Sequence, residues 1–299
     1  MTGQVTTIGF VGLGAMGLPM ARNLVAAGMT VRGFDTRRAA VAALQTHGGI
    51  AAGSAADAAR DADILILMVV NAAQAEQVLL GDGALDALAP DAIVVLMATC
   101  PPSAAERLAD RVLQTQRRFL DAPVSGGVGG ATRGGLTIMA AGHAATFAAA
   151  KPALDALGDK LFHVGERPGQ GAVVKTVNQL LAGVHIAVAA EAFALAAKVG
   201  VSLDIILEIM SGSAASSWML RDRGPRMLQT DPEVASAVDI FVKDLGIVLD
   251  AGREAKAALP LAAVAHQLFL AASGRGEGAA DDSQVIRTYH AMNGRLQPE

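Results

Sequence analysis

Residues 7–17 read TIGFVGLGAMG, a glycine-rich segment close to the N-terminus. The first five residues read as a short strand, the glycine-rich turn follows directly, and a helix is predicted to begin near Met16. In such a unit Gly12 permits the tight turn, Gly14 lets the backbone approach a pyrophosphate and Gly17 allows close packing of helix on strand. The unpaired N–H groups of the helix N-terminus favour an anion. The predicted cofactor-binding residues of this turn are Gly12, Leu13, Gly14, Ala15, Met16 and Gly17.

An acidic residue follows this turn at the spacing that a dinucleotide site requires. Asp35 directly follows the second predicted strand, where a carboxylate accepts hydrogen bonds from the adenosine ribose. A carboxylate there repels a 2′-phosphate, so the sequence favours NAD over NADP. Arg37 and Arg38 come directly afterwards and offset part of that repulsion. The alternative is that the glycines form only a tight connection between strand and helix.

Strands alternate with Ala-rich helical stretches from the N-terminus to about Val164. The predicted strands are 8–11, 30–34, 64–70, 93–97, 119–121 and 136–141. Strands alternating with helices indicate βαβ units and a mostly parallel sheet. The run at 64–70 has no polar alternation, which is typical of a central strand covered on both faces. Its last two residues, Val69 and Val70, are expected to line the cofactor cleft at the switch point of the sheet.

After Val164 the pattern becomes helical. Segments 170–198, 202–211, 232–256 and 258–273 all read as helices, and a Gly/Pro cluster at 165–171 marks the boundary. We therefore predict an α/β fold, with an N-terminal Rossmann doubly wound sheet domain (1–164) and an all-α C-terminal domain (165–299). A helix of about thirty residues, about 45 Å long, joins the two.

The composition excludes several classes of protein. Of 299 residues, 52% are hydrophobic and 17% charged, and the net charge is −4, without a basic run that would bind nucleic acid or a membrane surface. The single cysteine, Cys100, and six histidines lack metal-ligand spacing, so no metal is expected. The apolar stretch at 176–197 contains Asn178, Gln179, His185 and Glu191 and is predicted to be a buried helix. No N-terminal targeting pattern is recognised, and a cytoplasmic enzyme is expected.

A second glycine-rich segment, DAPVSGGVGGATRGG, occupies residues 121–135. Its glycine content predicts a loop and excludes a packed strand. The backbone N–H groups of such a turn, with the Ser125 hydroxyl, form a donor set that binds a carboxylate. A flexible connection is an equally good interpretation of the composition alone.

Three polar residues lie on one face near the start of the long helix. Lys175, Asn178 and Gln179 are spaced at i, i+3 and i+4. A lysine on an apolar face can serve as a general acid/base, and neighbouring amides can orient a hydroxyl group. On spacing alone, a lysine that extends to the surface explains the pattern equally.

These motifs, in this order, resemble those of the β-hydroxyacid dehydrogenase family. Four motifs are distributed along the chain: GLGAMG, DAPVSGG with the following GxxxGG, GxGxxxKxxNQ at 169–179, and Lys243-Asp244-Leu245. The resemblance implies a Rossmann domain, a long interdomain helix and a helical domain that assembles homodimers or homotetramers. Within the family the chain is most similar to the L-threonate dehydrogenase branch, which implies NAD-dependent oxidation of that sugar acid. 3-Hydroxyisobutyrate dehydrogenase and tartronate semialdehyde reductase are the alternatives.

The resemblance also assigns roles. Lys175 matches the catalytic lysine, Ser125, Gly126 and Gly127 match the loop that binds the substrate carboxylate, and Asn178 and Gln179 match the substrate amides. The remaining cofactor contacts fall on Thr99 and Lys243. Two positions depart from the common pattern. Gln179 replaces a second asparagine, and the central strand ends Val69-Val70 instead of Leu-Pro.

Other features have simpler interpretations. Arg221, Asp222 and Arg223 are expected to form a solvated face, and the segment before them reads as a connection between helices that can also contact substrate. A non-enzymatic dinucleotide sensor is the rival from a different functional class. The combination of Ser125, Lys175 and Asn178 argues against it, because a sensor needs no substrate chemistry.

Overall fold

The computed structural model describes residues 6–294. The chain divides into two compact units, Met1–Lys175 and Thr176–Glu299. This division falls inside the long helix, one to two turns after its start, whereas the sequence places the domain boundary in the glycine cluster in front of it. The helix begins on the first unit because its first turn is held there by hydrogen bonds to the sheet.

The first unit is built on a mixed sheet. Within the described residues its nine strands are β1 (Thr7–Val11), β2 (Thr30–Phe34), β3 (Ile50–Ala51), β4 (Ile64–Leu67), β5 (Ile93–Leu96), β6 (Arg118–Asp121), β7 (Val124–Ser125), β8 (Thr137–Ala141) and β9 (Lys160–Gly165). Their order is β3-β2-β1-β4-β5-β6-β8-β7, with β9 paired to β8. The first six strands in this order are parallel, while β8 runs antiparallel to β6 and β7. The order reverses beside β1, as the predicted doubly wound fold requires.

Helices cover the sheet. The helices of the first unit are α1 (Gly17–Ala26), α2 (Arg38–Gln45), α3 (Ala55–Ala59), α4 (Ala72–Glu76), α5 (Ala84–Ala87), α6 (Pro102–Leu113), α7 (Gly127–Arg133) and α8 (Ala144–Asp155). Two apolar cores lie within this unit. In β4, Leu65 and Leu67 belong to one core and Ile64 and Ile66 to the other. Alternate side chains of a strand point to opposite faces, so a strand covered on both faces has no polar alternation.

Several local predictions were wrong. Strand β4 ends at Leu67, so Met68, Val69 and Val70 lie beyond it, and Val70 is exposed. Strands β3 and β7 were not predicted because two residues carry little periodic signal. The edge strand β9 was not predicted because it is only partly buried and its pattern is weak.

The glycine-rich segment is more ordered than its composition predicts. Val124 and Ser125 pair with β8, and Gly127–Arg133 forms α7. Tertiary contacts override the low helix propensity of glycine here. Asn23 of α1 donates its side-chain amide to the carbonyl of Ala131 at 2.7 Å, which holds α7 against the first helix of the fold.

In the described part of the second unit, the named elements are helices. The long helix α9 (Gln170–Lys198) enters it and is followed by α10 (Leu203–Gly212), α11 (Trp218–Met227), α12 (Val238–Glu254), α13 (Pro260–Ala272) and α14 (Ile286–Met292). Phe193, Phe241 and Phe269 lie in its core, the last two stacked at 5.2 Å between ring centroids. The sequence predicted α9, α10, α12 and α13 and missed α11 and α14.

Helix α9 is the one helix between residues 6 and 294 whose length and composition would suffice to cross a membrane. More than half of its most apolar window is buried inside the protein. This burial agrees with the prediction of a core helix.

The predicted solvated face on α11 is wrong at Arg223. Arg221 and Asp222 are exposed, but Arg223 is 6% exposed. Its Nε and Nη2 donate to the two carboxylate oxygens of the fully buried Asp282 at 2.9 and 2.8 Å. The guanidinium therefore ties α11 to the segment before α14 by a bidentate ion pair inside the second unit.

Candidate active site

Gly12, Gly14 and Gly17 differ in how much space an added Cβ would have. Gly12 has φ +97°, and a Cβ there would lie 2.5 Å from the carbonyl oxygen of Met68. A Cβ on Gly17 would lie 1.8 Å from the carbonyl oxygen of Gly12, so only glycine lets α1 start this close to β1. At Gly14 a Cβ would meet no atom nearer than 3.8 Å. Gly12 and Gly17 thus shape the turn, and Gly14 leaves an open cradle of the kind that a pyrophosphate needs.

Asp35 is connected to this turn by direct hydrogen bonds. Its Oδ2 accepts from the backbone N–H of Leu13 at 2.8 Å, and its Oδ1 accepts from the backbone N–H of Arg37 at 2.8 Å. The guanidinium of Arg37 also contacts Asp35 and donates to the carbonyl of Leu13 at 3.1 Å. Burial raises the pKa of Asp35, but hydrogen bonds from Arg37 and Leu13 outweigh it and hold the pKa below its ordinary value. The turn therefore carries a fixed negative charge beside an exposed arginine.

Two further predicted cofactor positions follow the neighbouring strands. Val69 and Val70 come after β4, and Thr99 comes after β5. The backbone N–H of Val70 donates to Oε1 of Gln74 at 2.9 Å, which fixes the chain as it leaves the sheet. Because β1, β4 and β5 are adjacent and parallel, their carboxyl ends share one edge of the sheet. The three residues and the glycine turn thus lie at the same edge.

Ser125, Gly126 and Gly127 form the junction between β7 and α7. Ser125 pairs with Thr137 of β8, which places it at a defined register position. Gly126 and Gly127 have φ values of +135° and +60°, a conformation that L side chains rarely adopt. A Cβ on Gly127 would meet nothing within 4 Å. The junction is therefore a sharp turn between a paired strand and a helix, with open space at Gly127.

Lys175 lies on α9 and is only 7% exposed. The alternative of a lysine that extends to the surface does not hold. Asn178 is half-buried and Gln179 is buried on the same helix. The three residues share one face, as the spacing predicts.

Gln179 has a specific partner, and both residues belong to the second unit. Its Nε2 donates to Oδ2 of the buried Asp244 at 2.5 Å. The Nζ of Lys243 contacts the other carboxylate oxygen of Asp244, also at 2.5 Å. The carboxylate of Asp244 thus contacts both Gln179, a predicted substrate residue, and Lys243, a predicted cofactor residue. One amide N–H of Gln179 is therefore engaged by Asp244.

Asp121 was missed by sequence reasoning. It ends β6 and is 1% exposed, and its Oδ2 accepts from the backbone N–H groups of Gly169 at 3.0 Å and Ala172 at 2.8 Å. Burial raises the pKa of Asp121 to about 6, against the lowering effect of these hydrogen bonds. Two features of the sequence could have indicated Asp121. It is an aspartate at the end of a buried strand, and the later helix start Gly-Gln-Gly offers no residue of the usual capping types.

The described residues contain no group of three or more His, Cys, Asp or Glu side chains that could hold a metal ion. The dinucleotide site is different, because the residues present fit the cofactor. An open Gly14, an ionised Asp35 and the shared strand edge provide a place for the pyrophosphate, the ribose and the nicotinamide end respectively.

Comparisons with known proteins agree with this arrangement. Residues 7–165 match the family described as the NAD binding domain of 6-phosphogluconate dehydrogenase. Residues 169–289 match the NAD-binding family of NADP-dependent 3-hydroxyisobutyrate dehydrogenase.

Individual relatives match over nearly the whole chain. The L-threonate dehydrogenase of Cupriavidus necator is 44% identical over 283 residues, covering 94% of this chain and 95% of the relative. That of Escherichia coli K12 is 41% identical and covers 97% of both chains. The crystal structure of 3-hydroxyisobutyrate dehydrogenase from Salmonella typhimurium superposes with a TM-score of 0.90 at 42% identity, covering 94% of this chain and 99% of that one.

The fold, the nicotinamide dinucleotide cofactor and the dehydrogenase activity predicted from the sequence are confirmed by these matches. The chain belongs to the family of β-hydroxyacid dehydrogenases related to 3-hydroxyisobutyrate dehydrogenase.

Proposed function

We propose that this enzyme oxidises L-threonate to 2-oxo-tetronate with NAD. Relatives at 44% and 41% identity carry the name L-threonate dehydrogenase, and each matches over at least 94% of this chain. The observation that supports the chemistry best is the burial of Lys175 on α9, on the same face as Asn178 and Gln179. A buried amine beside two amides suits proton transfer to and from a hydroxyl oxygen.

The cofactor is proposed to lie on the glycine turn 12–17. Asp35 would accept hydrogen bonds from the adenosine ribose, and its ionised carboxylate would disfavour a 2′-phosphate, so NAD is preferred over NADP. Val69, Val70 and Thr99 would line the cleft near the nicotinamide, and Lys243 would contact the cofactor from the helical domain. When bound, NAD supplies the hydride acceptor of the reaction.

The protein's own residues would orient the substrate and move one proton. The Ser125 hydroxyl and the backbone N–H groups of Gly126 and Gly127 would hold the carboxylate. Asn178 and Gln179 would orient the hydroxyl. The Nζ of neutral Lys175 would accept the hydroxyl proton as the C–O bond becomes a carbonyl, and the protonated lysine would return it in the reverse direction. Fixing the reacting groups in this way contributes several kcal/mol to lowering the barrier.

We assign residues 1–164 to the NAD-binding domain and 165–299 to a substrate and oligomerisation domain. Helix α9 presents exposed apolar side chains at Val173, Val177, Leu181, Val188 and Leu195, a stripe at helical spacing. Exposed apolar stripes of this kind mark protein contacts. We therefore propose that the protein forms a homodimer or homotetramer through this stripe. We also propose a cytoplasmic location. Sedimentation of the purified protein tests the assembly, and Leu181→Glu is expected to dissociate it.

The second candidate substrate is 3-hydroxyisobutyrate. It is favoured by the Salmonella typhimurium structure, which carries that name at a TM-score of 0.90. Both substrates share a carboxylate and a hydroxyl group, so the same residues would serve either one. They differ in the groups that the rest of the pocket must accept.

A substrate panel tests the proposal. NADH or NADPH production is measured at alkaline pH with L-threonate, D-threonate, 3-hydroxyisobutyrate, glycerate and 4-hydroxybutyrate. Saturable turnover of L-threonate with NAD, at least about tenfold above the other acids in kcat/KM, is expected. Turnover of another acid alone would contradict the assigned substrate and retain the mechanism. No turnover of any acid, in protein that binds NAD by titration, would favour the sensor.

A further inference from the structure

Asp121 is a buried carboxylate at the junction of two parts of the candidate site. It ends β6, and Ser125 of the proposed carboxylate loop follows four residues later. Its Oδ2 accepts hydrogen bonds from the backbone N–H groups of Gly169 and Ala172, at 3.0 and 2.8 Å. All of these residues belong to the first unit. The carboxylate therefore connects the strand that leads to the loop with the first turn of α9.

Two N–H groups at the start of α9 find their acceptor on β6, in the carboxylate of Asp121. The first residue of the helix, Gln170, uses its side-chain oxygen to accept from the backbone N–H of Arg167 at 3.0 Å. The first N–H groups of a helix lack intrahelical partners and need an external acceptor. Asp121 is that acceptor, and a negative charge at this end of a helix is also favourable to the helix dipole.

The glycines beside the carboxylate keep the helix start close to the sheet. Gly169 has φ +92°, and a Cβ on it would lie 2.7 Å from Cγ of Glu106. A Cβ on Gly171 would lie 2.4 Å from the carbonyl oxygen of Met139 and 2.9 Å from that of Asp121. The helix start is thus packed directly on β6 and β8, and the Asp121 carboxylate fixes it in that place.

We infer that Asp121 is a positioning residue, which sets the place of Lys175 relative to the carboxylate loop by capping the first turn of α9. The inference rests on the proposed role of Lys175. Lys175 comes three residues after Ala172, about 4.5 Å along the helix axis, so a shift of the first turn is transmitted to it directly. Ser125 depends less on this carboxylate, because β7 pairs independently with β8.

This asymmetry predicts a defined kinetic effect. Loss of the cap should misplace Lys175 and lower kcat, while KM for the hydroxy acid changes little because the carboxylate loop keeps its own strand pairing. A misplacement of about 1 Å reduces turnover about 100-fold. The Kd for NAD should stay the same, since the glycine turn and Asp35 do not contact Asp121.

The test compares Asp121→Ala, Asp121→Asn and Ser54→Ala in kcat, KM, the Kd for NAD and Tm. Asn retains one side-chain oxygen that can accept from both N–H groups, so it should rescue most of the lost kcat. Ser54 is the matched control, because its Oγ caps α3 in the same unit by accepting from the N–H of Asp57 at 3.0 Å. Its variant should lower Tm without changing kcat.

The inference is supported if Asp121→Ala lowers kcat by about 10- to 100-fold at constant NAD affinity and Asp121→Asn recovers it. Wild-type kcat in Asp121→Ala, or equal losses in both Asp121 variants, would overturn it. If Asp121→Ala does not fold, Asp121→Asn decides alone, and its kcat must then lie within about threefold of wild type. Lys175→Met, measured alongside, separates the two claims: its full activity would refute the proposed function, whatever the Asp121 variants show.

Discussion

The Oδ2 of Asp35 accepts a hydrogen bond of 2.8 Å from the backbone N–H of Leu13, the second residue of the glycine turn. The residue predicted to recognise the ribose therefore also fixes the turn on which the pyrophosphate is proposed to bind. Arg37 completes the arrangement, because its guanidinium contacts Asp35 and the carbonyl of Leu13 while its side chain remains 63% exposed.

Asp35→Ala is predicted to weaken NAD binding and to reduce the discrimination against NADP. The variant removes an acceptor for Leu13 and for the ribose, and also the charge that repels a 2′-phosphate. A lost hydrogen bond to a charged group corresponds to about 1.5–3 kcal/mol, or a rise of at least about tenfold in the Kd for NAD. Calorimetric titration with both cofactors measures the two Kd values.

Arg37→Ala is the control for Asp35→Ala and should weaken the binding of NADP more than that of NAD. A preference of the wild-type protein for NADP would be incompatible with this role of Asp35.

Gly14→Ala and Gly17→Ala are predicted to fail in different ways. A Cβ on Gly17 would lie 1.8 Å from a backbone oxygen, so α1 must move and the protein should lose about 1–3 kcal/mol of stability. A Cβ on Gly14 has no neighbour within 3.8 Å, so the protein should keep its Tm and lose affinity for NAD. Thermal unfolding and NAD titration of both variants check this. Tight NAD binding by Gly14→Ala would show that the pyrophosphate does not lie on this glycine.

Arg223→Met is predicted to destabilise the second unit by about 3–5 kcal/mol, because it leaves the buried carboxylate of Asp282 without its partner. Arg221→Met, two residues earlier on the same helix and exposed, should cost less than about 0.5 kcal/mol. Urea unfolding followed by circular dichroism compares the two variants. Equal effects would mean that the Arg223 ion pair does not hold α11 in place.

The stability difference between the wild type and Asp121→Asn is predicted to depend on pH. Burial raises the pKa of Asp121 in the folded protein to about 6, above its ordinary value of 3.8. The folded state then holds the proton more tightly, and this stabilisation is complete below pH 3.8 and is lost as the pH rises through about 6. The free energy of unfolding of the wild type, minus that of the variant, should fall by up to about 3 kcal/mol over this range.

Urea titrations at several pH values between about 4 and 7 measure that difference. Asp35 and Asp57, whose pKa values are lowered, act in the opposite direction, but they are present in both proteins and cancel. A difference that is constant, or that rises with pH, would contradict the raised pKa of Asp121.

The parts of the site that were predictable are local in sequence. The strand, turn and helix around Gly12 and Gly17 form one continuous unit, and the acidic residue after the next strand has a fixed spacing from it. Likewise, the shared face of Lys175, Asn178 and Gln179 follows from helix geometry alone.

The parts that were missed depend on residues distant in the chain. Asp121 caps a helix 48 residues later, Gln179 contacts Asp244 65 residues away, and Arg223 pairs with Asp282 59 residues away. Nothing in the local pattern distinguishes Arg223 or Asp244 from a solvated side chain, because burial and partner both arise only from the tertiary fold. The signal for Asp121 combines the end of one strand with the start of a distant helix, so it too is not local. The helix at 127–133 was missed for the same reason, since packing against α1 outweighs the propensity of its glycines.

The role of Lys175 as the general acid/base is tested by the rate of NADH formation from L-threonate by the wild type and by Lys175→Met, together with the Kd for NAD of each protein. We predict saturable turnover by the wild type, and in the variant a loss of kcat of about 100- to 10,000-fold, the usual contribution of a general acid/base. The Kd for NAD should remain within about twofold. Turnover by Lys175→Met near the wild-type rate would contradict the assignment of Lys175 as the proton acceptor, as would loss of NAD binding in place of loss of chemistry.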